Sequence, residues 1–103
     1  MVNADTATTP EDLTAARVAI PQTVVYRTFV HETIVLNLET GLYHGLNSTG
    51  GKMLDTLRAV GVIGDAARAL ATEFDVPLEE IRQDLSVFCQ ELISRGLLAI
   101  ESA

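Results

Sequence analysis

The stretch Thr33-Ile-Val-Leu-Asn-Leu-Glu-Thr-Gly-Leu-Tyr-His-Gly-Leu46 decides the fold of this chain, because its pattern predicts two strands joined by a turn. Every second residue from Ile34 to Leu38 is isoleucine or leucine, which is typical of a half-buried strand. Residues 39–41 end in a glycine that can take a positive φ, so they supply the turn. Residues 42–46 are predicted to form the returning strand.

The sequence leaves two pairings open for this hairpin. In the preferred pairing, Gly41 is the left-handed residue of a three-residue loop, and most of the aliphatic side chains collect on one face. Its cross-strand pairs are Leu38 with Leu42, Leu36 with His44, and Ile34 with Leu46. In the other pairing, Thr40 and Gly41 form a two-residue loop, so that Leu38 faces Tyr43 and Leu36 faces Gly45.

The segments on either side of the hairpin complete the fold class. Residues 23–30 are dense in β-branched and aromatic side chains and predict a first strand. Helical periodicity then predicts three helices, over about 48–59, about 62–74 and about 77–95, and residues 97–100 predict a short extended segment. This order predicts an α+β fold, a three-stranded antiparallel sheet followed by three helices in a winged helix-turn-helix-like arrangement.

The predicted helices carry their own start and packing signals. Asn47 or Ser48 can cap the first helix, and Gly50 and Gly51 in its first turn indicate close packing or a tight entry. In the third helix, Pro77 stands near the first position, where its missing N–H costs nothing. The apolar residues of that helix repeat at spacings of three and four and predict its buried stripe: Leu78, Ile81, Leu85, Phe88 and Leu92.

Length and composition bound the class of protein. A chain of 103 residues that is 48% hydrophobic suits one small domain. Residues 1–21 are rich in Thr, Ala and Asp and predict a flexible N-terminal arm, and residues 22–103 predict the folded domain. No apolar run approaches the roughly 20 residues that span a bilayer, and no secretion signal opens the chain. We therefore expect a cytoplasmic protein with no membrane partner.

The charge balance argues against a nucleic-acid partner. Lys and Arg number 7 against 14 Asp and Glu, which gives a net charge of −7 that phosphate backbones would repel. A winged-helix DNA-binding regulator is nevertheless a rival, because it shares the predicted shape. Its recognition helix would need basic residues, and the predicted third helix carries only Arg82 and Arg95 against four carboxylates.

Residues with catalytic potential are scattered. His31 and His44 lie in different strand contexts, and neither has a second ligand at helical spacing, so no metal site is expected. Cys89 excludes an intramolecular disulfide because it is the single cysteine, and its neighbours Gln90 and Glu91 are unsuited to activating a thiolate. Residues 48–52 lack the spacing of a phosphate loop. We expect no catalytic residues, no metal and no cofactor.

The predicted sheet points towards recognition instead. Three strands that do not close a barrel leave two edges, and an edge beside a helix forms a groove with free N–H and C=O groups. Such a groove can capture an extended peptide by strand addition. The arm or a second copy of the chain could equally cover that edge. If the N–H of His44 faces an added strand, proline at His44 should weaken binding more than it harms folding.

A family resemblance favours the peptide groove. The run from Ile34 to Asn47, the Ser48-Thr-Gly50 that follows, and the ending Arg95-Gly-Leu-Leu98 together resemble the PqqD family, over about residues 24–100. The resemblance implies a RiPP recognition element, a small non-catalytic domain that binds the leader of a ribosomally made precursor peptide and presents it to modifying enzymes. In that family the leader adds to the third strand and lies against the third helix. Lys52 and Met53 depart from the family, whose first helix often carries an aromatic residue there.

Transferred to this sequence, the resemblance implies peptide-binding residues on two elements. They are Leu42, Tyr43, His44, Gly45 and Leu46 of the third strand, with Asp84, Val87, Phe88 and Glu91 of the third helix. The chain is most similar to the stand-alone leader-binding proteins of split lasso-peptide systems, which implies a separate leader peptidase as the second partner. The alternatives are a PqqD-like peptide chaperone for a radical SAM enzyme and a small accessory or antitoxin-like dimer.

Overall fold

The strands of the larger sheet come before the three helices along the chain, as the sequence predicted. The computed structural model describes residues 15–101, and all structural statements below concern that range. The strands are β1 (Arg17–Ala19), β2 (Val24–Thr28), β3 (Glu32–Asn37), β4 (Tyr43–Asn47) and β5 (Ala99–Glu101), and the helices are α1 (Ser48–Val60), α2 (Ile63–Phe74) and α3 (Leu78–Ser94). Strands β2, β3 and β4 form an antiparallel sheet in that order, which confirms the α+β prediction.

A second, two-stranded sheet was not predicted. Strand β1 pairs antiparallel with β5, and Arg17 also forms an isolated bridge with Val62. Val18 of β1 is only 3% exposed and belongs to the hydrophobic core, although the sequence assigned this stretch to the arm. The apolar segment at residues 97–100 is extended, as expected, over the part that belongs to β5. The rest of the predicted arm, residues 1–14, lies outside the described residues.

Both predicted pairings of the β3–β4 hairpin are wrong. The observed pairs are Val35 with His44, Leu36 with Tyr43, and Ile34 with Gly45. The loop has four residues, 38–41, because the side chain of Asn37 organises it: its Oδ1 accepts hydrogen bonds from the N–H of Glu39 at 2.9 Å and of Thr40 at 3.3 Å. The carbonyl of Asn37 also accepts from the N–H of Gly41 at 2.8 Å. Gly41 has the predicted positive φ, 76°.

The buried face of β3 is also the opposite of the one predicted. Thr33, Val35 and Asn37 are buried, whereas Leu38 beyond the strand is 57% exposed. The reason is close packing against α1: a Cβ at Gly51 would overlap Oγ1 of Thr33, so a large side chain at position 33 has no room. The Thr33 hydroxyl is satisfied by the Thr28 hydroxyl at 3.1 Å.

The helices confirm most of their predicted signals. The Asn47 side chain caps α1 by accepting from the N–H of Gly50 at 2.8 Å. In α3 the buried apolar stripe contains Cys89 in place of Phe88, which is half-buried, and Leu78 is 40% exposed. The core lies between the inner face of the larger sheet and the three helices. Its largest fully buried aliphatic side chains are Leu54, Leu57, Ile63, Leu70, Leu85, Leu97 and Val35.

None of the helices within residues 15–101 combines the length and the apolar character that crossing a membrane requires.

Candidate functional site

Strand β4 has an unpaired edge. Within residues 15–101 it pairs only with β3. The N–H of Asn37 donates to the carbonyl of Leu42 at 2.9 Å, which makes this a hydrogen-bonded pair at the mouth of the loop. Bonded and non-bonded pairs alternate in antiparallel sheets, so His44 and Leu46 also bond to β3. The backbone N–H and C=O groups of Tyr43 and Gly45 therefore point to the free edge.

Beside that edge, a groove runs between β4 and α3. It consists of two adjoining cavities of about 180 and 500 Å³, both lined by Gly45, Leu46, Phe88 and Glu91. The smaller cavity lies towards the end of α3 and the larger one towards the start of α1, where Gly50 and Met53 line it. A Cβ at Gly50 would lie 3.3 Å from Cβ of Leu46 and 3.5 Å from Cε1 of Phe88, so the helix, strand and groove floor are in close contact there.

The structure brings most of the predicted peptide-binding residues together along this groove. Its walls include His44, Gly45, Leu46, Asp84, Val87, Phe88 and Glu91. Two predicted residues lie elsewhere: Tyr43 is 70% exposed on the opposite face of β4, and Leu42, 63% exposed, precedes the strand. Where these two residues lie does not test whether they bind a peptide, so their role in binding stays a prediction.

Arg95 is a groove residue that sequence reasoning missed. Its Nη1 lies 3.0 Å from Nδ1 of His44, and its Nη2 lies 3.5 Å from Oε2 of Glu91. A guanidinium can only donate, so Nδ1 of His44 is the acceptor in this contact. Arg95 thereby joins α3 to β4 at one end of the groove. The signal in the sequence was its position four residues after Glu91, which predicts an ion pair on one helical face.

The groove combines an apolar floor with an acidic rim. Leu46 and Phe88 are half-buried, and Met53, which lines the larger cavity with them, is buried. Asp84 and Glu91 are exposed on α3, with Val87 between them at 59% exposure. Such a surface can hold an extended chain through backbone hydrogen bonds and apolar contacts, and its carboxylates favour a ligand with basic character.

The described residues offer little for catalysis near the groove. Burial raises the pKa of the Cys89 thiol to about 12, so it is protonated at neutral pH and fits a packing role. Among residues 15–101, no three His, Cys, Asp or Glu side chains are grouped so that they could hold a metal ion.

A larger cavity of about 680 Å³ lies away from β4, between β1, β2 and the end of α1. It is lined in part by Tyr26, whose hydroxyl donates to Oδ1 of Asp55 at 2.8 Å, and by Arg58, whose guanidinium carbon lies 5.6 Å from the centre of the Tyr26 ring. Burial, followed by the hydrogen bond to Asp55, raises the pKa of Tyr26 to about 12. These contacts join β2 to α1.

Comparison with known proteins finds the same architecture in two peptide complexes. TbiB1 in complex with the TbiA(beta) leader peptide is 26% identical, with a TM-score of 0.74 over 82% of this chain and 99% of that one. Lasso peptide synthetase B1 complexed with the leader peptide is 19% identical, with a TM-score of 0.72 over the same shares, and this second likeness concerns the fold alone. No curated protein matches the chain.

The family model described as coenzyme PQQ synthesis protein D (PqqD) matches residues 32–98, which include the β3–β4 hairpin, all three helices and both sides of the groove. That match covers well over half of the sequence, so the chain belongs to the PqqD family.

Proposed function

We propose that this protein binds the leader of a ribosomally synthesised precursor peptide as an added strand on β4, against α3, and that it performs no chemistry itself. The observation that carries the proposal is the unpaired edge of β4 beside the groove floored by Leu46 and Phe88. The likeness to TbiB1, whose structure is a complex with a leader peptide, supports a leader peptide as the ligand of this protein.

The backbone would supply the affinity in this mode of binding. The N–H and C=O groups of Tyr43 and Gly45 form hydrogen bonds with the leader. Because each of these bonds replaces a bond to water, its net contribution to the binding free energy is roughly 1 kcal/mol. Because side chains alternate along an added strand, every second leader residue enters the groove against α3. Apolar residues at those positions would cover Leu46 and Phe88, and a basic residue would meet Asp84, since Glu91 already lies beside Arg95.

We further propose that the bound leader is delivered to a separate maturation enzyme, a leader peptidase of lasso-peptide biosynthesis. The resemblance of the sequence to the stand-alone leader-binding proteins of split lasso-peptide systems favours that setting. The family description, coenzyme PQQ synthesis protein D, favours the second candidate, a peptide chaperone for a radical SAM enzyme. Both candidates share the leader-binding step and differ only in the enzyme that follows.

The DNA-binding alternative finds little support in the charges of α3. Both basic candidates, Arg82 in the helix and Arg95 at its C-cap, are held by carboxylates: Arg82 lies 3.0 Å from Glu79, and Arg95 lies 3.5 Å from Glu91. A recognition helix needs basic side chains that are free to reach phosphates and bases.

Fluorescence anisotropy tests the proposal with a labelled leader from the precursor encoded beside this chain. We expect saturable binding at micromolar protein or below, and no response with a peptide of the same composition in scrambled order. Absence of binding at micromolar protein would contradict the function. Adding the purified leader peptidase or the radical SAM enzyme encoded nearby to the complex then distinguishes the two settings.

A further inference from the structure

An added strand on β4 has two faces, and only one of them meets α3. The other lies with the outer face of the sheet, which no described helix covers. The register places Val25, Leu36 and Tyr43 in one row across that face, and Arg27, Ile34 and Gly45 in the next. Val25 is 46% exposed and Tyr43 is 70% exposed, so the row is open to solvent.

Gly45 makes a notch in this outer face. A Cβ at Gly45 would lie 3.9 Å from Cδ1 of Ile34 and 3.8 Å from Oε1 of Glu32, so these two side chains border the space that the glycine leaves empty. Tyr43 is two residues earlier on the same strand and the same face. The notch therefore has an aliphatic floor, an aromatic neighbour and a carboxylate.

The notch adjoins the edge where the leader would bond. Gly45 directs its N–H and C=O outward, so a leader residue pairs directly with it in an antiparallel addition. Residues directly opposite each other project their side chains to the same face. The leader side chain at that position therefore extends over Gly45 towards Ile34 and Glu32.

We propose that this notch is a second specificity site that takes a lysine or arginine of the leader, an inference that rests on the proposed function. The aliphatic stem of the basic residue packs on Ile34 beside Tyr43, and its charged end reaches the carboxylate of Glu32. Glu32 forms no ion pair within residues 15–101, although four of the seven basic residues of the chain do so with other acids. Arg27 lies across Ile34 on the same face, and within residues 15–101 no salt bridge joins it to Glu32.

Charge reversal at Glu32 tests the inference. Leader affinity is measured by anisotropy for Glu32→Gln, for Glu32→Lys and for Glu39→Lys, which makes the same charge change in the 38–41 loop outside the groove walls. An exposed ion pair and its reversal predict about threefold weaker binding for Glu32→Gln and about tenfold for Glu32→Lys. Glu39→Lys should bind within about twofold of the unmodified protein, since screening weakens a distant charge. Circular dichroism melts check that each variant folds.

A charge swap in the leader identifies the partner residue. Each lysine or arginine of the leader is replaced in turn by glutamate, and one such peptide should bind Glu32→Lys better than it binds the unmodified protein. Equal affinities for Glu32→Lys and Glu39→Lys would overturn the basic site while leaving leader binding intact. If Gly45→Leu lowered leader affinity and Glu32→Gln did not, the notch would take an apolar leader side chain instead of a basic one. That result would also overturn the proposal. Failure of the unmodified protein to bind the leader would instead overturn the proposed function.

Discussion

Nη1 of Arg95 lies 3.0 Å from Nδ1 of His44, which joins the end of α3 to the centre of β4 across 51 positions of the chain. This contact fixes the tautomer of the imidazole, because the guanidinium has no acceptor. We expect nitrogen-15 NMR of the His44 ring to show an unprotonated, hydrogen-bonded Nδ1 and a protonated Nε2. In Arg95→Met the Nδ1 resonance should shift, whereas in Glu91→Gln, which keeps the guanidinium, it should stay. A protonated Nδ1 in the unmodified protein would contradict the contact.

Proline substitution separates the two edges of β4. Gly45→Pro removes an N–H that points to the free edge, so the fold should persist and leader affinity should fall by about tenfold. His44→Pro removes an N–H that bonds to β3 and leaves a buried carbonyl without its partner, which costs about 1–3 kcal/mol of unfolding free energy. The register thus reverses the expectation from sequence that placed the binding N–H at His44. Urea unfolding and leader anisotropy of both variants measure the difference, and similar effects of the two prolines on stability would contradict the register.

Local signals were enough to predict most of the fold. The Asn47 cap, the small residues Gly50 and Gly51 and the positive φ of Gly41 each follow from the chemistry of one residue, and each is present. The order of strands and helices followed from periodicity in the same way. Strands β1 and β5 were harder, because three residues each give no period and their pairing joins the two ends of the described chain.

The hairpin register was missed because hydrophobicity was weighed above turn chemistry. The Asn37 side chain bonds two N–H groups of the loop and adds a loop residue, which shifts every pair. Asn37 four residues before Gly41 was a usable signal. The burial of Thr33 could not be predicted in the same way, since it depends on how closely α1 approaches through Gly51, a contact between distant segments. Arg95 was missed because its contact with His44 also requires the tertiary fold.

Exposed apolar residues on α3 should affect binding more than stability. Val87 is 59% exposed on the groove wall and Leu78 is 40% exposed at the start of the helix, outside the groove. Because both side chains lose little burial, Val87→Ala and Leu78→Ala should each change the unfolding free energy by less than about 1 kcal/mol. We expect a several-fold loss of leader affinity for Val87→Ala alone. Equal affinity losses for the two variants, measured by anisotropy, would contradict the assignment of the groove wall.

The buried thiol makes stability depend on alkaline pH. Burial raises the pKa of Cys89 from its usual 9.0 to about 12, so the unfolded chain releases this proton at lower pH than the folded one. Its contribution is fully present below pH 9 and is lost as the pH rises towards 12, by at most about 1.4 kcal/mol per pH unit. The pKa of the Tyr26 hydroxyl is also raised, from 10.0 to about 12, but between pH 9 and 10 this group adds little to the loss of unfolding free energy. Urea unfolding should show a smaller decline over that window for Cys89→Ala than for the unmodified protein, and identical slopes would contradict the burial of the thiol.

The free edge of β4 is also a surface on which a second copy of the chain could pair, because exposed strand edges act as templates for one another. The net charge of −7 opposes such an encounter in dilute salt. Salt weakens that protection, since the Debye length falls from about 10 Å at 0.1 M to about 3 Å at 1 M. A leader lying on the edge would block self-pairing at any ionic strength. The bound leader would then keep the protein that carries it soluble. We expect sedimentation measurements to show self-association of the ligand-free protein at high protein concentration and high salt.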